Sequence, residues 1–399
     1  MSGPLMAAVR PLGLVPLSWS HLRTHHRPGA GISALYRVDA VPRRGSADSG
    51  RQPVQLQVGA TTAALTPEQS RRTVRGSADG TAVRLWVHPR DPVLSGLAWA
   101  TSPGAVARDL FGAGTDGARA SLTLAAYRPL RRAVVRGTFE GATAYLKVLQ
   151  PGLAPGLRRR LEAAAAAGLP VPALLEIPAG AVPEPDSVLA LRALPGRSLH
   201  QHLHVSPDDV DPQSLLDLLA GLPPEALAFR RRPAWAERVV DYAAGAAVAF
   251  PQEAERITRC AREIDAAVRA ADPGPLVTAH GDFHGGNLLV DNPGRAGWKI
   301  SGMLDVDALG PGHLVDDLAC FTGHLFVFAA VNPRSPGLRA SADRFAGAFT
   351  AETDPAALYS RAAAVALTLV AGAAGRGTEA ADRTLAAAQE LLVRSREHS

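Results

Sequence analysis

The sequence predicts an α+β protein in which a β-rich first half precedes a largely helical second half. Three observations carry this. Short stretches of alternating apolar and polar residues, bounded by Gly, Pro and Ser, recur through the first 195 residues. From about residue 196 the apolar residues fall at helical spacing in longer runs, and a single strand–turn–strand pattern at 288–305 interrupts them. At 399 residues, 47% apolar and 20% charged, the chain is long enough for two or three domains with their own cores, and its composition excludes disorder or a fibrous repeat.

Residues 1–105 contain strand patterns at 34–41, 54–58 and 82–87 and are expected to form an N-terminal extension or cap. Residues 106–195 read as a small lobe. In it, β-formers at 132–136 and 144–149 flank a turn at 139–141, so a hairpin is expected, and an Ala-rich helix follows, stopped at Gly168 before Pro170 and Pro172. Residues 196–399 read as a large helical lobe with helices at 212–221, 234–250, 253–271, 316–330, 340–350 and from 355 onward. Its one hairpin, 288–305, encloses the turn signal Asp291-Asn292-Pro293-Gly294.

The net charge of +5 is unevenly spread: residues 1–200 carry 24 basic against 12 acidic side chains, and residues 201–399 carry 18 against 25. The arginines of the first half are scattered, without zinc-finger spacing or aromatic interleaving, so no nucleic-acid partner is expected. Only Cys260 and Cys320 are present, which argues against a disulfide framework and for a reducing, cytoplasmic setting. The first twenty residues carry one basic residue, Arg10, and are broken by Pro4, Pro11 and Pro16; the late apolar run 362–374 is shorter than a bilayer span. No membrane partner is expected. Oligomeric state is not legible.

Chemistry concentrates in His280-Gly281-Asp282-Phe283-His284-Gly285-Gly286-Asn287, followed by Leu304-Asp305-Val306-Asp307. Asn287 precedes the first hairpin strand and Asp305 follows the second, so antiparallel pairing brings their backbones to one end of the hairpin. An amide oxygen and a carboxylate there suit Mg²⁺, which takes oxygen ligands and leaves room for phosphate. Asp282 then stands where a carboxylate can orient a hydroxyl nucleophile and accept its proton.

These segments, continued by Asp317 in GPGHLVDDLA, resemble the catalytic loop and metal-binding segment of the aminoglycoside phosphotransferase family, small-molecule kinases with a two-lobed protein-kinase-like fold. The resemblance implies a small β-rich nucleotide lobe and a large helical lobe, with the N-terminal β-containing region as an addition. It implies ATP and Mg²⁺ as cofactors, Asp282 as the catalytic aspartate, and Asn287 and Asp305 as metal ligands. His280 and Asp317 are implied as braces of the loop and Asp307 as a second acidic position, with His284 as structural support.

On the N-terminal side the family places a lysine on a strand against the nucleotide phosphates. Lys147 lies in such an alternating strand and is one of two lysines against 40 arginines, the other being Lys299. Glu162, the acidic residue of 157–167, is the candidate partner of Lys147, although it lies nearer the following Gly-Leu-Pro-Val-Pro than the family pattern places it; the pairing stays open. There is no GxGxxG, and the phosphate-covering turn falls at 128–132, where Arg131 and Arg132 can screen phosphate charge.

Three function classes follow. The first is an ATP- and Mg²⁺-dependent kinase acting on a hydroxyl of a small molecule: aminoglycoside-like, a sugar or an amino alcohol. The second is a nucleotide-binding pseudokinase. The third is a metal-dependent hydrolase, for which His280-x-Asp282-x-His284 offers zinc-ligand spacing. The acidic second half is compatible with a cationic acceptor, though lobe charge does not locate a cleft.

Overall fold

The structure, a computed structural model, describes residues 1–27, 31–43, 52–114, 117–292 and 297–399. The chain divides into two compact units, Met1–Arg158 with Leu174–Ala193, and Arg159–Ala173 with Leu194–Ser399.

The first unit contains two five-stranded antiparallel sheets. One is built from β1 (Leu14–Arg27), β2 (Gly31–Pro42), β3 (Val54–Thr61), β4 (Val74–Ala78) and β5 (Thr81–Val87) in the order β1-β2-β3-β5-β4. Leu5, Ala8 and Val9 of the helix Ser2–Val9 close its core against Val38, Val58 and Leu85. The sequence pattern marks β2, β3 and β5 but not β1 or β4. Those two are the edges: β1 is exposed along most of its described length, so no buried face imposes a pattern on it, and β4 is five residues, Val-Arg-Gly-Ser-Ala, with a single β-former.

The other sheet holds β6 (Ser121–Arg128), β7 (Arg132–Phe139), β8 (Ala142–Leu149), β9 (Leu174–Leu175) and β10 (Val188–Arg192) in the order β6-β7-β8-β10-β9. The expected β7–β8 hairpin turns at Glu140 and Gly141, at φ 48° and 83°, the positive pair that a two-residue turn needs to match strand twist. Val135, Leu146, Val148 and Val188 pack with Trp99 and Val106 in one core. The Ala-rich run forms the helix Ala154–Ala166.

The second unit is mainly helical, with β11 (Arg197–Ser198), β13 (Leu288–Asp291) and β14 (Lys299–Met303) in one small sheet and β12 (Leu276–Ala279) paired with β15 (Gly310–His313) in another. The β13–β14 hairpin is the expected one; Pro293 and Gly294 of its turn signal lie outside the described residues. The β12–β15 ladder is an addition. Its second strand reads Gly-Pro-Gly-His, with no β-former to announce it.

The helix Pro355–Thr368 packs against Leu314–Val331, Ala254–Ala270 and Thr378–Glu397. The apolar run read as too short for a bilayer belongs to a longer segment, Pro355–Ala374, that is long and apolar enough by composition, as is Leu314–Val331; these are 78% and 61% buried within the protein. The run looks shorter in sequence because Tyr359, Ser360 and Arg361 interrupt it, and each of them is buried. Arg361 reaches Asp316, in the first turn of Leu314–Val331, at 2.7 Å, with side chains only 6% and 8% exposed. Removing one partner of a buried ion pair strands the other charge. Arg361→Met is therefore expected to cost about 3–5 kcal/mol of stability in denaturant titration, and Asp316→Leu added to it to recover part of that loss.

Candidate active site

β12 delivers the chain to the catalytic-loop sequence at Ala279, which pairs with Gly310. The next two backbone N–H groups are captured by one side chain: His280 donates to Asp317 Oδ2 at 2.6 Å and Gly281 to Asp317 Oδ1 at 2.8 Å. Asp317 is 1% exposed. Burial pushes its carboxyl up to about 7, while the two N–H bonds favour the charged form. Gly281 has φ 80°, and a Cβ on it would stand 2.7 Å from the Cβ of Ala308, so glycine alone suits this turn. The His280 ring continues the brace. Its Nδ1 accepts the Asp282 N–H at 3.2 Å, leaving Nε2–H to donate to Leu304 O at 2.9 Å.

The polar end of the hairpin is tied across the strands. Asn287 Nδ2 donates to Asp282 O at 2.9 Å, and its backbone N–H donates to His284 O at 2.8 Å. The Leu304 N–H donates to Asn287 O at 2.7 Å, next to the Leu288–Met303 pair, so Asn287 and the Leu304-Asp305 step share one end of the hairpin. Asp305 is left-handed at φ 60°, ψ 43°, and opens a short helical turn, Val306–Ala308, that carries Asp307. Arg160, which no motif marks, is a buried guanidinium whose Nε donates to Leu309 O at 2.9 Å just beyond this turn.

These donors fit a hard divalent cation: with Nδ2 engaged by Asp282, Asn287 keeps an amide oxygen for it, and Asp305 supplies a carboxylate. They do not fit zinc. Both ring nitrogens of His280 are engaged and His284 Nδ1 accepts the Gly286 N–H, so His280-x-Asp282-x-His284 is a hydrogen-bonded loop; among the described residues no group of three or more His, Cys, Asp or Glu side chains is placed to hold a metal. The hydrolase reading loses its ligand set.

Asp282, Asn287, Asp305, Asp307, His280, His284 and Asp317 thus lie within the second unit, as does Glu162, exposed on its helix. Lys147, Arg131 and Arg132 lie in the first. Lys147 is half-buried on β8, between the buried Leu146 and Val148 and opposite Val134 and Leu189. Arg131 and Arg132 leave the β6–β7 turn, where Leu130 has φ 63° and the Arg131 N–H donates to Arg128 O at 3.0 Å.

The sequence model of the phosphotransferase enzyme family, APH, matches residues 131–365, more than half of the chain and all of this loop. The chain belongs to the APH phosphotransferase family. It is an enzyme, a small-molecule kinase with an alcohol acceptor, and its two-lobed fold is protein-kinase-like. No curated protein sequence matches it. Among solved structures, a thermostable mutant of aminoglycoside phosphotransferase APH(4)-Ia is 15% identical, covering 69% of this chain and 95% of its own with a TM-score of 0.48. A choline/ethanolamine kinase family protein from Mesorhizobium loti is 16% identical over 73% and 97%, with a TM-score of 0.47. The aminoglycoside phosphotransferase APH(3'')-Id from Streptomyces rimosus is 18% identical over 59% and 89%, with a TM-score of 0.40.

Sequence reading of this phosphotransferase missed the histidines behind its loop. His284 stacks on His324, ring centroids 4.0 Å apart and 10° from parallel, and its Nε2 stands 4.0 Å from Asp282 Oδ1. His200 adds a third imidazole, 5.8 Å from His284, and stacks on Phe328 at 4.9 Å. A Cβ on Gly285 would stand 2.5 Å from His200 Cδ2, so the bare backbone makes room for that ring, and the backbone N–H of His200 donates to Gly285 O at 3.0 Å. Burial lowers the pKa of His200 to about 3 and that of His324 well below the usual range. It also lowers His280 and His284, against the pull of Asp282. Only spacing on two separate helices, 199–205 and 314–331, places His200 and His324 here, and no local signal announces it.

The sign of the resulting pH dependence is fixed. Unfolded, these histidines take up protons from pH 6.5 downward; folded, His200 does not until about pH 3, so the unfolded state binds more protons and stability is lost as pH falls through that window. Each such group contributes a slope of up to about 1.4 kcal/mol per pH unit. His324→Phe, which keeps a stacking ring and removes the titration, is expected to flatten the fall in unfolding free energy between pH 6.5 and 5, checked by urea titrations across that range.

Proposed function

We propose that this phosphotransferase moves the γ-phosphoryl group of ATP to a hydroxyl of a small molecule, with Asp282 as the catalytic base and Mg²⁺ held by Asn287 and Asp305. The observation that carries the reading is a chain of two hydrogen bonds, in which Asn287 Nδ2 donates to Asp282 O and the Leu304 N–H donates to Asn287 O. It groups one carboxylate for the acceptor with an amide and a second carboxylate for the metal, the division of labour that phosphoryl transfer requires.

In this mechanism the Asp282 carboxylate accepts a hydrogen bond from the acceptor hydroxyl and orients it. As that oxygen bonds to the γ-phosphorus, the hydroxyl proton passes to Asp282, and the bond from the γ-phosphorus to its bridging oxygen breaks to release ADP. His284 faces the same carboxylate through Nε2, which limits where Asp282 can turn. The loop is held from behind by Asp317 and His280, so it does not reorganise during transfer. Asn287 and Asp305 would hold Mg²⁺, which when bound would supply neutralisation of phosphate charge. Lys147 and the arginines of the β6–β7 turn are assigned to the nucleotide phosphates, Lys147 as a compact point charge. The acceptor class is an aminoglycoside, a sugar or an amino alcohol, and the net charge of −7 over residues 201–399 is compatible with a cationic member.

The test is a panel of hydroxyl compounds monitored by acceptor-dependent ADP release and a mass gain of one phosphoryl group. With the acceptor found, Asp282→Ala is expected to lower kcat by about 10²–10⁴-fold with nucleotide binding retained. Asp305→Ala should also weaken Mg-nucleotide binding. Parental turnover in Asp282→Ala would remove the proposed base.

A further inference from the structure

The β6–β7 turn that carries Arg131 and Arg132 is held mainly by residues that precede the family match, with Gln150 from within it, and all of these contacts lie within the first unit. Leu130, the turn's left-handed residue at φ 63°, is gripped at three points. Its N–H donates to Asp91 Oδ2 at 2.9 Å, its carbonyl accepts from Gln150 Nε2 at 2.7 Å, and its side chain, 8% exposed, packs with Trp86 and Val93. Asp91 is 3% exposed, and its remaining capacity is filled: Oδ1 accepts the Val93 and Leu94 N–H groups at 2.9 and 3.1 Å, and Oδ2 also accepts from the Tyr127 hydroxyl at 2.8 Å. Trp86 Nε1 donates to that hydroxyl at 3.1 Å and so orients it.

A leucine does not adopt a left-handed backbone unless its surroundings over-determine it. Here a buried carboxylate from the N-terminal region does so, one residue before the first of two arginines. Nothing about a bare cap over a sheet requires a charge to be buried at that spot. We infer that Asp91 is a positioning residue for nucleotide binding: by fixing Leu130, the segment 86–93 presents Arg131 and Arg132 to the nucleotide phosphates, which makes the N-terminal region a working part of the phosphate site. This rests on the proposed use of ATP.

The experiment compares binding of Mg-ATP and of adenosine, which has no phosphates, by calorimetry on the full chain. Asp91→Asn turns an amide N–H toward donors and releases the turn. ATP affinity should fall about tenfold and adenosine affinity should not move. In an Arg131→Ala/Arg132→Ala background the same change should have little further effect on ATP, because Asp91 acts through those side chains. Tyr127→Phe, which removes one donor to Asp91 without altering charge, should shift the ratio of ATP to adenosine affinity about threefold in the same direction, and it decides the matter if Asp91→Asn does not fold. An unchanged ratio in a folded variant, or equal loss of both ligands, overturns the inference. A parent chain that binds neither ligand overturns the proposed use of ATP itself, and this inference with it.

Discussion

Two backbone N–H groups and one buried carboxylate organise the polar loop of the second unit. Asp317 takes the amides of His280 and Gly281 together, and a carboxylate removed from water accepts that placement because both oxygens are satisfied. Everything downstream inherits its position from this contact. The His280 ring then spans from the Asp282 amide to the carbonyl of Leu304, coupling the loop to the far strand of the hairpin. Asn287 closes the circuit by bonding Asp282 on one side and Leu304 on the other. A loop tied at both ends to a core helix and a sheet can hold its acid groups without their support from solvent.

Behind that circuit the phosphotransferase keeps three imidazoles stacked and neutral. Neutral rings pack face to face without charge repulsion, and the same burial that lowers their pKa values keeps them so at ordinary pH. The Gly285-Gly286 pair serves this arrangement, since Gly285 lies against His200 where a side chain would collide. The stack therefore explains Gly285 on packing grounds, whereas Gly281 answers to backbone freedom at φ 80°.

The two units illustrate different ways of placing charge. In the second, Asp316 is buried against Arg361 and serves the helix core, whereas its neighbour Asp317 serves the loop. In the first, Asp91 is buried against neutral donors and steadies the turn that carries Arg131 and Arg132. Adjacent or similar residues thus take separate tasks according to which element their side chains reach.

What the sequence by itself determined is local. The hydrogen bonds from Asp282 to His280, from Gly286 to His284 and from Asn287 to Asp282 span two, two and five residues, and the hairpin that sets Asn287 near Asp305 follows from strand pattern and turn signal. The strands β7 and β8 were legible because burial on one face imposes alternation. The edge strand β1, exposed along most of its described length, carries no such constraint. Only the tertiary structure decided that His200 and His324 flank His284 and that Asp91 reaches Leu130, 39 residues along the chain. Spacing records which side chains share a turn or a strand face. Which distant ones meet is settled by packing, where burial must satisfy every polar group at once.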